Sequence, residues 1–344
     1  MSLSVSIIVP VYNVEEYIAD CFQSIVNQTY TGPMECLFID DCGTDNSVRV
    51  LEGLIMAYEG PIEMSLLHHE KNKGLSCARN TGIANAKGDY LFFLDSDDRL
   101  YPYSISCLAD AAFKEEMPDM VLGGYQVNIP DHPISHYCYN YEVIDNQPAI
   151  AKAFFDDKLF CMVPNKLVRR GFIEGNSLYF KEGIIHEDNL WSFQSFHVAQ
   201  KVVTIPEKTY YYLIHSGSIM TSSSFEWSLE NTRILYDEIM HDISVGRYDI
   251  VSHESVDYIN RLINEKCVAV LLNNYLEIEN QKNRVQKLKD IPDNIVQIID
   301  KYWSPSSYAT RLLKLFFLNK HYKLFDIIVI LSKKKNELMS LFIH

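Results

Sequence analysis

Short apolar segments alternate with amphipathic segments over residues 4–128. The amphipathic segments have helical period, as from Val14 to Val26, and Asn13 with Glu16 has the spacing of a helix N-cap and N3 residue. The apolar segments are short and rich in β-branched residues, as strands are: "SVSIIVPVY", "MECLFID", "IEMSLLHH", "GDYLFFLD" and "DMVLGGYQV". This alternation predicts an α/β fold, with a mainly parallel sheet flanked by helices on both faces.

The pattern changes beyond residue 128. Residues 129–160 read as an inserted or loop-rich region, and residues 161–213 return to strands and helices. Six Ser or Thr in the ten residues 215–224 indicate a flexible boundary, after which residues 225–300 look almost wholly helical. We therefore predict two domains, 1–220 and 221–344, the second an appended C-terminal helical region.

Composition and charge narrow the class of protein. An apolar share of 47% and a charged share of 22% are typical of a soluble globular protein, and the formal charge of −14 argues against nucleic acid as a partner. The eight cysteines form no C-x-x-C pair, the first residues show no basic leader, and no apolar run reaches the ~18 residues of a membrane span. These features predict a cytoplasmic protein and leave a homo-oligomer open.

The end of the chain differs in charge from the rest. Residues 301–344 contain eight Lys or Arg and two Asp or Glu, so they carry +6 while residues 1–300 carry −20. Apolar and basic residues interleave in "RLLKLFFLNKHYKLFDIIVIL". Residues 305–344 therefore either pack an apolar helix face on the helical region or lie on an anionic membrane, which would place the protein at the inner face of the plasma membrane.

Three carboxylates follow one apolar strand in "YLFFLDSDD", namely Asp95, Asp97 and Asp98. A helix N-cap would explain one Asp, but three within four residues repel one another unless a cation or hydrogen-bond donors neutralise them. An EF-hand calcium loop is excluded because Leu100 and Ser106 replace its required Gly and Glu. The pattern favours Mg²⁺ or Mn²⁺ held together with a substrate phosphate.

Two further segments carry candidate ligand contacts. Asp40 and Asp41 follow a strand and precede a turn, where a carboxylate can accept a hydrogen bond from a nucleobase or a ribose hydroxyl. In "NKGLSCARN", Lys73 and Arg79 can offer cations to a diphosphate, and Gly74 allows the backbone to approach closely. Each segment alone is equally consistent with an ordinary turn or a surface helix.

Together these segments and a later "HEDNLWSF" resemble the family-2 inverting glycosyltransferases, which have the GT-A fold. The resemblance covers residues 4 to about 220. It implies a nucleotide-sugar site formed by Pro10, Tyr12, Asn13, Asp40, Asp41, Lys73, Gly74, Arg79, Asp95, Ser96 and Asp97. It also implies that Asp95-Ser96-Asp97 is the family's D-x-D element, and that Asp188, preceded by Glu187, is the general base.

The resemblance also implies a metal cofactor, Mn²⁺ or Mg²⁺, held by Asp97 with Asp95 and Asp98 as further candidate ligands. His215 stands where many relatives carry Arg, and it can reach the metal or the diphosphate, with Ser216 and Ser218 as donors, or can simply be solvated. Asp188 opens a predicted helix whose positive end would favour its ionised form.

The implied reaction is non-processive transfer of a sugar from a nucleotide sugar, with UDP the expected nucleotide, to a glycan or lipid-linked acceptor in cell-surface polysaccharide biosynthesis. Processive relatives carry a Q-x-x-R-W element, which this sequence lacks. One alternative is a nucleotide-sugar-binding module without catalysis. Another is a sugar nucleotidyltransferase, although such enzymes need a Gly-rich loop after the first strand and "VPVYNVEEY" contains no Gly.

Overall fold

The computed structural model describes residues 2–128, 135–215, 225–245, 280–302 and 308–334. The chain forms two compact units, Met1–Ser218 and Ile219–His344. The strands in the described ranges are β1 Val5–Val11, β2 Met34–Asp40, β3 Glu63–His68, β4 Tyr90–Phe93, β5 Arg99–Leu100, β6 Met120–Asn128, β7 Ser135–Tyr137, β8 Glu142–Ile144, β9 Lys166–Arg169 and β10 Val202–Leu213. The helices of the first unit are α1 Ile18–Val26, α2 Ser47–Ala57, α3 Leu75–Asn85, α4 Ser104–Lys114, α5 Gln147–Phe155, α6 Arg170–Gly175 and α7 Glu187–Val198.

All ten strands form one mixed sheet whose main path has the order β3-β2-β1-β4-β9-β6-β10-β5. Its first half, β3-β2-β1-β4, is entirely parallel, so these strands end at one edge. Strand β9 runs antiparallel to both β4 and β6, and β10 runs parallel to β6. The predicted α/β class is confirmed, with parallel pairing where strands and helices alternate in sequence.

Helices cover both faces of the sheet because β1 is apolar on both sides. Ile7 packs in the core cluster with Ile18 of α1, whereas Ile8 points to the opposite face. There it lies so close to Gly82 of α3 that a Cβ at that glycine would be 2.3 Å from Ile8 Cγ2. The buried strand at the centre of the fold is therefore held between helix layers.

The start of α1 was predicted wrongly, and the inserted region holds more regular structure than its sequence suggests. Helix α1 begins at Ile18 instead of just after Asn13, because Asn13 takes a left-handed conformation (φ 53°) and its side chain accepts a hydrogen bond from Thr44 N–H at 2.7 Å. Residues 129–160 are not simply a loop, since their described part contains β7, β8 and α5. Strands of three residues, such as β7 and β8, are too short to show a clear periodicity, so the sequence does not indicate them.

The second unit is helical wherever it is described. Its helices are α8 Phe225–Ser244, α9 Gln281–Lys289, α10 Asp293–Tyr302, α11 Tyr308–Leu318 and α12 Tyr322–Lys334. Buried Arg284 of α9 donates to Asp326 of α12 at 2.6 Å, which ties these helices together. None of the helices in the described ranges combines the length and apolarity needed to cross a bilayer.

Candidate active site

The carboxylate-rich turn Asp95–Asp98 follows β4 at the edge where β1 and β2 also end. The turn is closed by Asp98 N–H, which donates to Asp95 O at 3.0 Å. Ser96 is buried, while the side chains of Asp95 and Asp97 are 29% and 26% exposed to solvent. The turn thus directs two of its carboxylates towards the open edge.

Asp98 points into the protein. It is 1% exposed, and its two oxygens accept hydrogen bonds from Tyr210 O–H at 2.6 Å and Leu213 N–H at 2.8 Å. Burial, together with Asp97 and Asp95, raises the pKa of Asp98 well above its usual value. The carboxylate of Asp98 therefore anchors β10, and its share in a metal site stays a prediction.

Asp97 contacts His215, which lies two residues beyond the end of β10. His215 Nε2 and Asp97 Oδ2 are 2.9 Å apart, and the ring centroids of His215 and Tyr17 are 4.3 Å apart. Burial and the neighbouring Asp95 raise the pKa of Asp97, while His215 opposes the shift. His215 therefore belongs to the carboxylate site; Ser216 and Ser218 lie outside the described residues.

The chemistry of these groups matches part of the ligand set of a divalent cation. Among the described residues, no three His, Cys, Asp or Glu side chains are close enough to form a complete metal site. However, Mg²⁺ typically takes one or two carboxylates and fills its remaining positions with phosphate oxygens and water. Asp97, with His215 beside it and Asp95 nearby, supplies that kind of partial ligand set.

Arg79 connects this turn to the predicted catalytic pair. The side chain is 2% exposed, and it donates from Nη2 to Asp95 Oδ1 at 2.8 Å and from Nη1 to Glu187 Oε1 at 2.7 Å. Both terminal nitrogens thus bond to carboxylates, that of Glu187 buried and that of Asp95 partly exposed, and the expected contact of Arg79 with a diphosphate stays a prediction. The sequence suggested a surface cation, because α3 has little amphipathic pattern to indicate that Arg79 faces inward.

Asp188 lies in the first turn of α7, directly after Glu187. The preceding His186 is left-handed (φ 62°), a conformation unusual for a side chain other than Gly and common at functional sites. Loss of solvent raises the pKa of Asp188, while Arg79, Asn189 N–H and Lys166 act against the rise. Burial thus acts against the ionised form of Asp188, and the predicted help from the helix N-terminus stays a prediction.

Lys166 is a buried cation near Asp188. It is 2% exposed, lies with Nζ 5.7 Å from the ring centroid of Phe196, and donates to Met162 O. Burial lowers the pKa of Lys166 to about 8, while Asp188 raises it. In "VPNKLVRR" the sequence does not distinguish Lys166 from Arg169 and Arg170, which are less buried.

A second cluster forms where β2 and β3 end. Asp41 is 3% exposed and accepts hydrogen bonds from Lys73 N–H and Gly74 N–H, each at 2.8 Å, and from His69 Nδ1 at 2.7 Å. Gly74 has φ 88°, so a residue with a Cβ would strain this turn. Asp41 therefore fixes the loop that presents Lys73, whose side chain is exposed.

The remaining predicted contacts lie at the end of β1 and β2. Pro10 is a buried strand residue, and Tyr12 beyond it is 47% exposed. Asp40, paired in register with Val11, accepts hydrogen bonds from Cys42 N–H and His68 Nδ1, each at 2.9 Å. These residues share the sheet edge with the carboxylate turn.

Comparisons with known proteins agree with one another. Residues 6–175 match the family described as Glycosyl transferase family 2. Glycosyltransferase GlyG of Streptococcus pneumoniae is 28% identical over 259 residues, which are 72% of this chain and 83% of that protein. A poly(ribitol-phosphate) beta-glucosyltransferase of Bacillus spizizenii is 27% identical over 298 residues, 83% of this chain but only 42% of that protein.

The fold is also found in a solved structure. Residues 1–349 of TarS from S. aureus, crystallised with UDP-GlcNAc, superpose with a TM-score of 0.65 at 19% identity, covering 97% of this chain and 92% of that one. At this identity the likeness concerns the fold alone.

Proposed function

Because this chain belongs to glycosyl transferase family 2, we propose that it transfers a sugar from a UDP-sugar to a hydroxyl of a glycan or lipid-linked acceptor, with inversion at the anomeric carbon. The observation that carries the proposal is the convergence of two acidic motifs far apart in sequence. Asp95 and Glu187 lie on either side of one guanidinium, so the D-x-D element and the Glu187-Asp188 pair line a single site. A donor and an acceptor can therefore meet there.

The nucleotide occupies the edge formed by β1 and β2 in this proposal. Exposed Tyr12 stacks on the base, and Asp40 accepts a hydrogen bond from it. Lys73 and Asn13 face the phosphate side from neighbouring loops. UDP is favoured because the TarS structures that share this fold hold UDP-GlcNAc and UDP.

Asp97, Asp95 and His215 hold the divalent cation at the diphosphate in this proposal, and Asp98 keeps the turn in place behind them. A bound Mn²⁺ or Mg²⁺ neutralises the charge that develops on the departing diphosphate. The positive charge of the metal would also reduce the repulsion between the acidic protein and the anionic donor.

Asp188 takes the proton from the acceptor hydroxyl. The acceptor oxygen bonds to the anomeric carbon while the bond from that carbon to the β-phosphate oxygen breaks, and its electron pair leaves with UDP. Attack from the side opposite the leaving group inverts the configuration. The raised pKa of Asp188 suits this role, since a general base works best when its pKa approaches the working pH.

Membrane association is the remaining part of the proposal. Leu315 of α11 and Leu324 and Ile327 of α12 are 45–53% exposed. The six basic residues of 308–334 are opposed by one acid, Asp326, which is buried against Arg284. An exposed surface of this kind suits the anionic inner face of a plasma membrane, where lipid-linked acceptors are found.

Release of UDP from a panel of UDP-sugars, including UDP-glucose and UDP-N-acetylglucosamine with Mn²⁺, tests the activity. We expect Asp188→Asn to lower turnover by about 10²–10⁴-fold, the usual contribution of a general base. Asp97→Asn is expected to lower it comparably and to weaken its dependence on Mn²⁺. Asp110→Asn is the matched control. Asp110 is exposed on α4 and lines a cleft with Leu3, which precedes β1, whereas the site lies where β1 ends.

Two outcomes would contradict the proposal. Full turnover in Asp188→Asn would remove the assigned base. UDP binding without turnover of any sugar in the panel would instead indicate a binding module that lacks catalysis.

A further inference from the structure

Arg79 is one cation shared by carboxylates from two distant parts of the chain. It lies 16 residues before Asp95 and 108 residues before Glu187. Its terminal nitrogens donate to one oxygen of each, at 2.8 and 2.7 Å. The distance between the carboxylate turn after β4 and the start of α7 is thus spanned by a single rigid guanidinium.

Aromatic side chains hold the guanidinium from one side. Arg79 Cζ is 5.3 Å from the ring centroid of Phe180, which stacks on Trp191 at 5.3 Å with an interplanar angle of 12°. The side chain of Asn80, next to Arg79, holds the backbone of Phe180 with two hydrogen bonds. Asn80 Nδ2 donates to Phe180 O at 2.9 Å, and Asn80 Oδ1 accepts from Phe180 N–H at 2.8 Å. The Arg79 side chain therefore has little freedom to turn towards a ligand.

The hydrogen bonds of Arg79 indicate what determines its position. Within the described part of the chain, its buried Nε has no hydrogen-bond partner, whereas both terminal nitrogens bond to carboxylates. The side chain leaves one donor unsatisfied while it spans the two acids. Moving it to a diphosphate would leave Glu187 buried without its cation, which is costly.

We propose that Arg79 is a positioning residue that sets the separation between the donor-side carboxylate Asp95 and the start of α7, and so aims Asp188 at the acceptor hydroxyl. The inference rests on the proposed glycosyl transfer. Arg79 touches neither sugar nor nucleotide in this account. On Asp95 it donates to Oδ1.

Arg79→Lys tests this role, because lysine keeps the charge but cannot bond both carboxylates with one planar fork. We expect kcat for UDP release from UDP-N-acetylglucosamine or UDP-glucose with Mn²⁺ to fall by about 100-fold, as for a small misplacement of a catalytic group. KM for the UDP-sugar is expected to stay within about threefold. In Arg79→Ala, added guanidinium chloride at non-denaturing concentration is expected to restore at least about a tenth of the lost kcat.

Arg169→Lys is the matched control. Arg169 on β9 forms an ion pair with Asp119, which accepts hydrogen bonds from the backbone of Gln200 and Lys201. A purely structural arginine predicts that both lysine variants lose thermal stability and keep kcat. The positioning role predicts that only Arg79→Lys loses kcat.

Glu187→Gln keeps the test decisive even if the Arg79 variants fold poorly, since it weakens the same bridge from the other end. It is expected to lower kcat with KM unchanged, and combining it with Arg79→Lys is expected to add little, because both remove one interaction. Wild-type kcat in Arg79→Lys or Glu187→Gln, or a loss confined to KM, would overturn the positioning role. Absence of UDP release from the wild-type protein across the sugar panel would overturn the proposed function itself.

Discussion

Neighbouring acidic residues in this protein have different partners and therefore different tasks. Asp41 and Asp98 are buried and accept hydrogen bonds from the protein on both oxygens. The side chain of Asp97 is 26% exposed to solvent and faces His215. The buried pair holds loops in place, while the exposed carboxylate is available to a ligand.

Asp98→Ala is expected to destabilise the fold by about 1–3 kcal/mol, because it leaves the buried donors of Tyr210 and Leu213 without an acceptor. Asp97→Ala removes a carboxylate that repels Asp98 and is expected to leave the stability unchanged or raise it. Urea unfolding monitored by circular dichroism measures both values. Equal destabilisation by the two variants would refute the division of roles.

His197 is expected to make the protein sensitive to acid. Burial lowers the pKa of His197 to about 4, while an unfolded histidine titrates near 6.5. Between these values the unfolded chain binds a proton that the folded chain does not, so the free energy of unfolding falls as the pH falls, by up to about 3 kcal/mol below pH 4.

His197→Phe keeps the aromatic packing against Phe193 and removes the titration. The variant loses the hydrogen bond from His197 Nδ1 to Phe193 O, so it starts less stable at pH 7. We expect its deficit relative to wild type to shrink between pH 6.5 and 4 in urea titrations. Parallel stability curves over that interval would contradict the assignment.

At the residue scale, the sequence predicted where acids gather but not which way they point. Asp95, Asp97 and Asp98 share one four-residue turn, and the different environments of Asp97 and Asp98 depend on β10 and the residues that follow it, more than a hundred residues away. Tyr210 is one of three tyrosines in "TYYYL", and strand alternation alone does not say which face of that strand is buried. The assignment of site residues to substrate contacts therefore stays a prediction.

At the element scale, helix α3 approaches the sheet closely because it carries Gly82. A Cβ there would lie 2.3 Å from Cγ2 of Ile8, a fully buried β-branched side chain that has no room to shift. Gly82→Ala is expected to destabilise the fold by about 1–3 kcal/mol through overpacking. It would also displace the helix that carries Arg79, so turnover is expected to fall.

Gly53→Ala in α2 provides the control, because nothing lies within 4 Å of a Cβ at that exposed helix position. It is expected to stabilise the protein by about 0.5–1 kcal/mol, the helix preference of alanine over glycine. Thermal unfolding of both variants measures the contrast. Stabilisation by both would show that α3 and β1 have room to spare.

Element boundaries were predictable where hydrophobic pattern and burial coincide. β2 was predicted over the same residues it occupies, Met34–Asp40, because the strand is mostly apolar and almost wholly buried. Helix α1 was misplaced at its start, since Asn13 serves the neighbouring loop at Thr44 instead of capping a helix. Strand β5 has two residues and exists only through pairing with β10, which no local pattern reveals.

At the scale of the whole molecule, charge is distributed unevenly, with −20 over residues 1–300 and +6 over residues 301–344. The family and the GT-A fold predicted from the motif order are confirmed. The domain boundary at residue 220 and membrane contact through 305–344 stay predictions. The sugar and the acceptor are not encoded in any motif, because they depend on side chains contributed by many elements.

The charge asymmetry predicts binding to anionic vesicles. The full chain is expected to co-sediment with phosphatidylglycerol-containing vesicles at about 0.1 M salt and to be released at about 1 M salt, where charges are screened. Reversing Lys320 and Lys323 to Glu is expected to weaken binding by at least tenfold, at about 1 kcal/mol for each basic residue lost. Co-sedimentation at several lipid concentrations gives the affinity.

The matched control reverses Lys282 and Lys287 to Glu, since both are exposed on α9 and change the net charge equally. Equal weakening by the two double variants would indicate a general charge effect without a defined surface. Undiminished binding in the Lys320 and Lys323 variant would dismiss this surface as the anchor.

The place of β9 in the sheet has a consequence for the making of the protein. β9 lies between β4 and β6 in the sheet. When a ribosome has completed the first 128 residues, β4 and β6 have been made, but the strand that joins them has not. Until residue 169 emerges, the wholly apolar β4 presents an unpaired edge of the kind that drives aggregation. The nascent chain thus carries β4, the strand that precedes the carboxylate-rich turn, with an exposed edge, and the interval before β9 is made is when chaperones have most to protect.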